Sequence, residues 1–300
     1  MVTNLYTHQS ENVRKTFLLM GGFLVFVITL GWVFSQALSN PAILYIAVVI
    51  AIVMNLVSYW SSDKVAIALS GARWVARQEA VELYRAVENL SITAGLQLPK
   101  IHIIPSPQIN ALATGRDAKH AAVAVTTGAL EKLSGVELEG VLAHELSHIG
   151  NKDMLVSTVV VVLAGVVALL SDFFLRSLWW GGGGRDNNRG GGAFVIFALA
   201  AAILAPIAAT LIRLAVSRER EFLADASGVM LTRYPEGLAG ALEKIAKDKS
   251  PMSQARSGLA HLYFTNPYKN SGKLITKLFM THPPLEERIR RLRATDNMVQ

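Results

Sequence analysis

The chain has 300 residues, no cysteine, 52% hydrophobic against 17% charged residues, and a formal net charge of +7. Soluble domains carry about 25% charged residues, and here no residue from Thr16 to Ser62 is charged, which excludes a wholly soluble or a disordered chain. The missing thiols exclude disulfides, thiolate metal sites and cysteine nucleophiles, and no basic stripe with interleaved aromatics marks a nucleic-acid surface.

A bilayer core of ~30 Å needs about 20 apolar residues of helix. Candidate spans run from Phe17 to Phe34, Pro41 to Trp60, Met154 to about Ser171, and Ala193 to Ile212. The first is longer than a signal-peptide core of roughly 7–15 residues, and a second apolar segment follows at once, so it reads as a retained anchor. Trp32, Tyr59, Trp60, Trp179 and Trp180 fall at the expected interfaces. The third and fourth segments could instead form a hairpin packed against protein. Two polar stretches remain, Ser61 to Asp153 and Arg213 to Gln300, and the second holds 15 Lys+Arg against 9 Asp+Glu. The positive-inside rule places both stretches and both termini in the cytoplasm. Arg176, Arg185 and Arg189, between the third and fourth segments, oppose this mildly. Residues 181–192 are glycine-rich but lack the strand, helix start and lysine of a phosphate loop, so they read as a linker.

Within the first polar stretch, apolar spacing predicts a helix over Gly71 to Ala94. Strands are expected at Lys100 to Ile104, Asn110 to Gly115 and Ala121 to Thr126. Ser134-Gly-Val-Glu137 is a capping box. It opens a helix that runs to about Ile149 and stops at Gly150-Asn151.

That helix carries His144-Glu145-Leu146-Ser147-His148. Positions i and i+4 share one helix face, so both imidazoles can converge on one ion. Glu145 lies beside that face, placed to reach a water rather than the ion, as in the H-E-x-x-H pattern of zinc proteases. A catalytic zinc takes three protein ligands and keeps one position open. Glu221 and Asp225 are again i and i+4, within Ser217-Arg-Glu-Arg-Glu-Phe-Leu-Ala-Asp225. Glu221 is the expected third ligand, and Asp225 is expected to hydrogen-bond a ligand histidine. Two crossings separate His148 from Glu221, which returns both to one side of the membrane. The expected chemistry is peptide-bond hydrolysis by an activated water with Glu145 as general base, and one Zn²⁺ per chain. Arg218 is expected to orient the Glu221 helix, while His8, His102, His120 and His261 lack a ligand-spaced partner.

Four pieces together, Asn110-Ala-Leu-Ala-Thr-Gly115, Val141-Leu-Ala-His-Glu-Leu-Ser-His148, Ser217 to Asp225 and Thr281-His-Pro-Pro284, resemble the HtpX-type integral-membrane zinc metalloproteases, relatives of the CAAX prenyl proteases. The resemblance covers nearly the whole chain. It implies a gluzincin site facing the cytoplasm at the bacterial inner membrane, and stress-linked quality control with unfolded or membrane proteins as substrates. It also places His282 near the site, as a donor to the tetrahedral intermediate, and Asn110 at the head of an edge strand that contacts substrate.

The expected fold is mainly α with a small β-sheet. Four transmembrane helices carry a cytoplasmic α+β zincin-type domain. Residues 1–60 form a membrane hairpin, 61–153 the first half of the peptidase domain, 154–212 a second hairpin, and 213–300 the second half. The alternatives are an inactive scaffold with a structural metal site, a transporter, and a prenyl-protein protease. A closed structural site needs a fourth protein ligand, a transporter needs intramembrane charge, and neither is evident in the sequence.

Overall fold

The computed structural model describes residues 5–37, 39–160, 162–164, 167, 218–252, 259–260, 262–267 and 283–299. The chain opens with two long helices, α1 (Leu5–Ala37) and α2 (Ala42–Trp60). The apolar stretches Ser10–Gln36 and Ala42–Trp60 are each long enough to cross a membrane. Both turn large apolar side chains outward, among them Phe17, Leu18, Tyr45 and Val49, the surface expected of helices solvated by lipid rather than water. At 33 residues and about 1.5 Å per residue, α1 reaches roughly 50 Å. That exceeds a bilayer core of ~30 Å, so part of the helix extends past the membrane.

The first polar stretch departs from the expected single helix over Gly71 to Ala94. A short α3 (Ser62–Ser70) ends at Gly71, whose φ of +69 is the left-handed cap that glycine adopts without strain. The chain then forms β1 (Arg73–Trp74) before α4 (Val81–Thr93) starts. Only the second half of the predicted helix is helical, because Arg73 and Trp74 pair with β2 and a turn follows at 77–79 before Val81.

The strands match their expected positions: β2 (Lys100–Ile104), β3 (Ala111–Thr114) and β4 (Ala122–Thr126). The sheet order is β1-β2-β4-β3, with β2 and β4 parallel and the other pairs antiparallel. β2, β3 and β4 are buried almost throughout, as strands covered on both faces must be. Thr126 then caps the short α5 (Thr127–Lys132) by accepting from Ala129 N–H at 3.2 Å.

The predicted capping box opens α6 (Gly135–Gly150), with Ser134 N–H donating to Glu137 at 2.6 Å. After a turn at Asn151-Lys152 the chain bends by 86° into α7 (Asp153–Ala164). From α7, Leu155, Val159 and Leu163 pack with Phe23 and Val27 of α1 and Ala51 of α2. Ser58 of α2 donates to the Val159 carbonyl at 3.3 Å. The expected third span is thus described only in its first part, and the fourth, at 193–212, lies outside the described residues.

The remaining helices among the described residues are α8 (Arg218–Thr232), α9 (Pro235–Lys247) and α10 (Leu285–Val299). A main core joins α4, the sheet, α6, α9 and α10 through residues such as Val87, Val123, Leu142, Leu242 and Leu292. The described residues are therefore mainly helical, with a small mixed sheet and two candidate membrane helices. α6, with the H-E-x-x-H residues, lies at their centre, and nine of its sixteen residues are buried.

Candidate active site

α6 holds His144, Glu145 and His148 at its C-terminal end, the first two buried and the third partly exposed. Opposite them runs α8. The two helices approach closely at Gly228, where a Cβ would stand 3.0 Å from the His144 backbone nitrogen. Glu221, Asp225 and Gly228 are spaced at i, i+4 and i+7, so they share one face of α8. The close crossing at Gly228 turns both carboxylates toward His144.

The side chains of His144, His148 and Glu221 meet. Each offers an atom within 4.8 Å of the others. His144 Nε2 and His148 Nε2 are 3.1 Å apart. Glu221 Oε2 is 3.9 Å from the first and Glu221 Oε1 3.7 Å from the second. The far side of each ring is taken by a carboxylate. His144 Nδ1 sits 2.9 Å from Asp225 Oδ1, and His148 Nδ1 sits 3.2 Å from Asp153 Oδ2. An imidazole donates Nδ1–H to a carboxylate, which leaves its Nε2 as a lone pair. With both rings neutral, two lone pairs and a carboxylate face one point, an arrangement that a cation satisfies. Donors at 2.0–2.2 Å around a tetrahedral zinc lie about 3.3–3.6 Å from one another, close to the separations observed. The residues fit a metal ion.

A second ring of charge fixes this set. Arg288 of α10 is completely buried. It grips Asp225 twice, Nε to Oδ2 at 2.8 Å and one terminal nitrogen to Oδ1 at 2.6 Å. The guanidinium lies 4.7 Å from the Phe264 ring centre, and that ring meets His144 edge-on at 4.9 Å. Its remaining terminal nitrogen stands 3.9 Å from Glu221.

Burial pushes His144 down to about 4, against the pull of Asp225. Burial would also lower His148, but Asp153, Glu221 and Glu145 outweigh it and raise the ring to about 9. Burial likewise pushes Glu145 up to about 7, with Glu221 adding to the rise. Burial works against the charge on Asp225, yet Arg288 and His144 hold its carboxyl below the usual range.

The expected residues fare differently. His144, His148, Glu221 and Asp225 come together as the spacing suggested. Glu145 is buried beside them, at 2% exposure. Asn110 is buried, and its side chain is engaged within the chain itself. Its amide donates to Thr265 O at 2.9 Å, and its oxygen accepts from the N–H of Ala111 and Thr265. Phe264 N–H also donates to Ala111 O at 2.8 Å, so that part of the β3 edge is covered. His282 lies outside the described residues. Arg218 is exposed, and the guanidinium beside Glu221 and Asp225 belongs to Arg288.

Arg288, Asp153 and the Asn12 side chain that reaches Asp153 were missed by the sequence reading. One signal was available. On the polar helix Leu285 to Val299, Leu285, Arg288, Ile289 and Leu292 form the apolar stripe, and a charge on a buried stripe asks for a partner.

Comparison with known proteins agrees with this geometry. The family model for peptidase family M48 matches residues 77–296. The chain belongs to peptidase family M48. Among its relatives, a "Protease HtpX homolog" of Tropheryma whipplei (strain Twist) is 45% identical over 293 residues, covering 98% of this chain and 99% of the relative. Another of the same description, from Thermoanaerobacter pseudethanolicus, is 44% identical over 298 residues and covers 97% of each chain. The crystal structure of Ste24p from S. mikatae has the same fold, with a TM-score of 0.51, 19% identity, and coverage of 96% of this chain and 67% of that one. As an M48 peptidase with apolar spanning helices, the chain is a membrane metalloprotease.

Proposed function

We propose that His144, His148 and Glu221 hold a catalytic Zn²⁺ and that Glu145 is the general base for peptide-bond hydrolysis. The observation that carries this reading is the convergence of both Nε2 atoms and the Glu221 carboxylate, with each Nδ1 turned to its own carboxylate. Nitrogen and oxygen donors without thiolate suit zinc among the divalent ions. Zinc bound there would polarise a water and the scissile carbonyl. Glu145 takes the proton of the attacking water on its carboxylate and delivers it to the leaving amine. Asp225 and Asp153 orient the two rings, and Arg288 keeps Asp225 in place. The three ligands leave one position for water and substrate, which favours a catalytic over a closed structural site.

The substrates are misfolded or damaged membrane proteins, a reading supported by an active site set beside membrane helices and by the family resemblance. The chain is a four-span protein of the bacterial inner membrane whose active site faces the cytoplasm. The basic excess of the C-terminal stretch supports that orientation. Residues 61–153 and 213–300 act as two halves of one peptidase domain, supported by the packing of α6 against α8. His282 and Asn110 keep the roles the resemblance implies only as proposals, and the hydrogen bonds of Asn110 favour a structural part for it. The test is Glu145→Gln in the full-length chain. The variant holds zinc and loses casein cleavage; retained cleavage refutes the base.

A further inference from the structure

We propose that Asn12, on the N-terminal membrane helix, is a positioning residue of the metal centre that fixes the His148 ring through Asp153. The inference rests on the reading of His148 as a ligand. Asn12 is 4% exposed, and its side chain is pinned between two points of the turn that joins α6 to α7. Its Nδ2 donates to Asp153 Oδ1 at 2.6 Å and to the Asn151 carbonyl at 3.2 Å. The other oxygen of Asp153 faces His148 Nδ1 at 3.2 Å. The two oxygens of Asp153 are thus divided between the amide and the imidazole, and the carboxylate cannot rotate without losing one of them.

The site is built alike on both sides. His144 is held by Asp225, and Asp225 by Arg288 from the C-terminal helix. His148 is held by Asp153, and Asp153 by Asn12 from the N-terminal helix. The outer partners differ in one way that suits their neighbours. Arg288 neutralises Asp225, whereas the Asn12 amide is a donor without charge. Asp153 therefore keeps its negative charge for His148. A cation at position 12 would draw that charge away. In this arrangement the membrane anchor is part of the metal centre.

The test uses the full-length chain in detergent, stripped of metal. Zinc affinity is measured by competition with a chromophoric chelator, and the ligand geometry by the visible spectrum of the Co²⁺-loaded protein. Asn12→Ala lowers zinc affinity by about three- to tenfold and shifts the Co²⁺ bands. Asp153→Ala lowers affinity by roughly 10–100-fold, the range for partners that orient a ligand. The double variant binds no more weakly than Asp153→Ala alone, because Asn12 acts only through Asp153. Thr16→Val, which removes the hydroxyl bonded to Asn12 O, leaves affinity unchanged. Asn12→Ser, whose hydroxyl falls short of Asp153, supplies the same readout if the alanine variant does not fold. Wild-type affinity and spectrum in both Asn12 variants overturn the inference, and so does a fully additive double variant, which marks Asn12 as a mere tether. His148→Ala separates the two levels. Tight zinc binding by that variant refutes the ligand assignment itself, whereas its loss of zinc beside an unaffected Asn12→Ala refutes only the role of Asn12.

Discussion

Replacing Arg288 with methionine tests how far the site depends on a charge that never touches substrate. Arg288 is wholly buried and bound to Asp225 at 2.6 and 2.8 Å, and Asp225 is itself 4% exposed. Removing one partner of a buried ion pair costs about 3–5 kcal/mol, because the other charge stays behind without compensation. Methionine fills much of the volume, so the loss is one of charge and hydrogen bonds rather than of packing. The freed carboxylate no longer holds one orientation against His144 Nδ1. Loss of such an orienting partner lowers metal affinity by roughly 10–100-fold, or about 1.4–2.7 kcal/mol. The assay is chelator competition on the purified full-length variant, with thermal unfolding of the zinc-free protein beside it. Arg288→Lys separates charge from shape. Lysine keeps the charge but not the planar two-pronged grip, so its affinity falls between wild type and Arg288→Met. Wild-type zinc affinity in Arg288→Met would refute the reasoning, since Asp225 would then orient His144 without help.

Other variants test neighbouring parts of the account. Glu145→Gln keeps zinc at wild-type stoichiometry, measured by metal analysis, while casein cleavage falls by about 10²–10⁴-fold. Gly228→Val forces α8 away from the His144 backbone, which stands 3.0 Å from a Cβ there, and zinc stoichiometry drops well below that of wild type. Asp248 tests stability against pH. Burial alone would raise its carboxyl, but Ile109 N–H, Ser250 and Lys132 hold it down to about 2. A carboxyl lowered by folding stabilises the fold fully above its unfolded value near 3.8 and loses that contribution as pH falls toward 2. Asp248→Asn is therefore less stable at pH 7 by about 1 kcal/mol after allowance for solvent screening, read as a lower unfolding temperature. The difference from wild type shrinks as pH falls from about 4 through 2 and is lost only below that.

The sequence exposed the parts of the site that are local. His144, Glu145 and His148 lie within five residues on one helix, and Glu221 and Asp225 lie one turn apart on another, so helical geometry alone shows their shared faces. Strands β2, β3 and β4 and the Ser134 capping box are local in the same sense. What was hidden depends on residues far apart in the chain. Asn12 meets Asp153 across 141 positions, and Arg288 meets Asp225 across 63. No spacing rule reaches so far. The substrate contact that the resemblance implies for Asn110 gives way to bonds within the chain that spacing cannot show, because Thr265 lies 155 residues away. The first half of the helix expected over Gly71 to Ala94 failed for the same reason, since Arg73 and Trp74 pair with Ile103 and His102 of β2. Arg288 was hidden by its company, since Glu286, Glu287, Arg290 and Arg291 make its helix look like an ordinary solvated one.

The most direct test of the central claim is a matched measurement of zinc content and casein cleavage on wild type, Glu145→Gln and Glu221→Ala. All three are purified in detergent, stripped of metal and reloaded. The account predicts one zinc per chain and cleavage in wild type, zinc without cleavage in Glu145→Gln, and weakened zinc with no cleavage in Glu221→Ala. Cleavage by Glu145→Gln, or undiminished zinc affinity in Glu221→Ala, would contradict it.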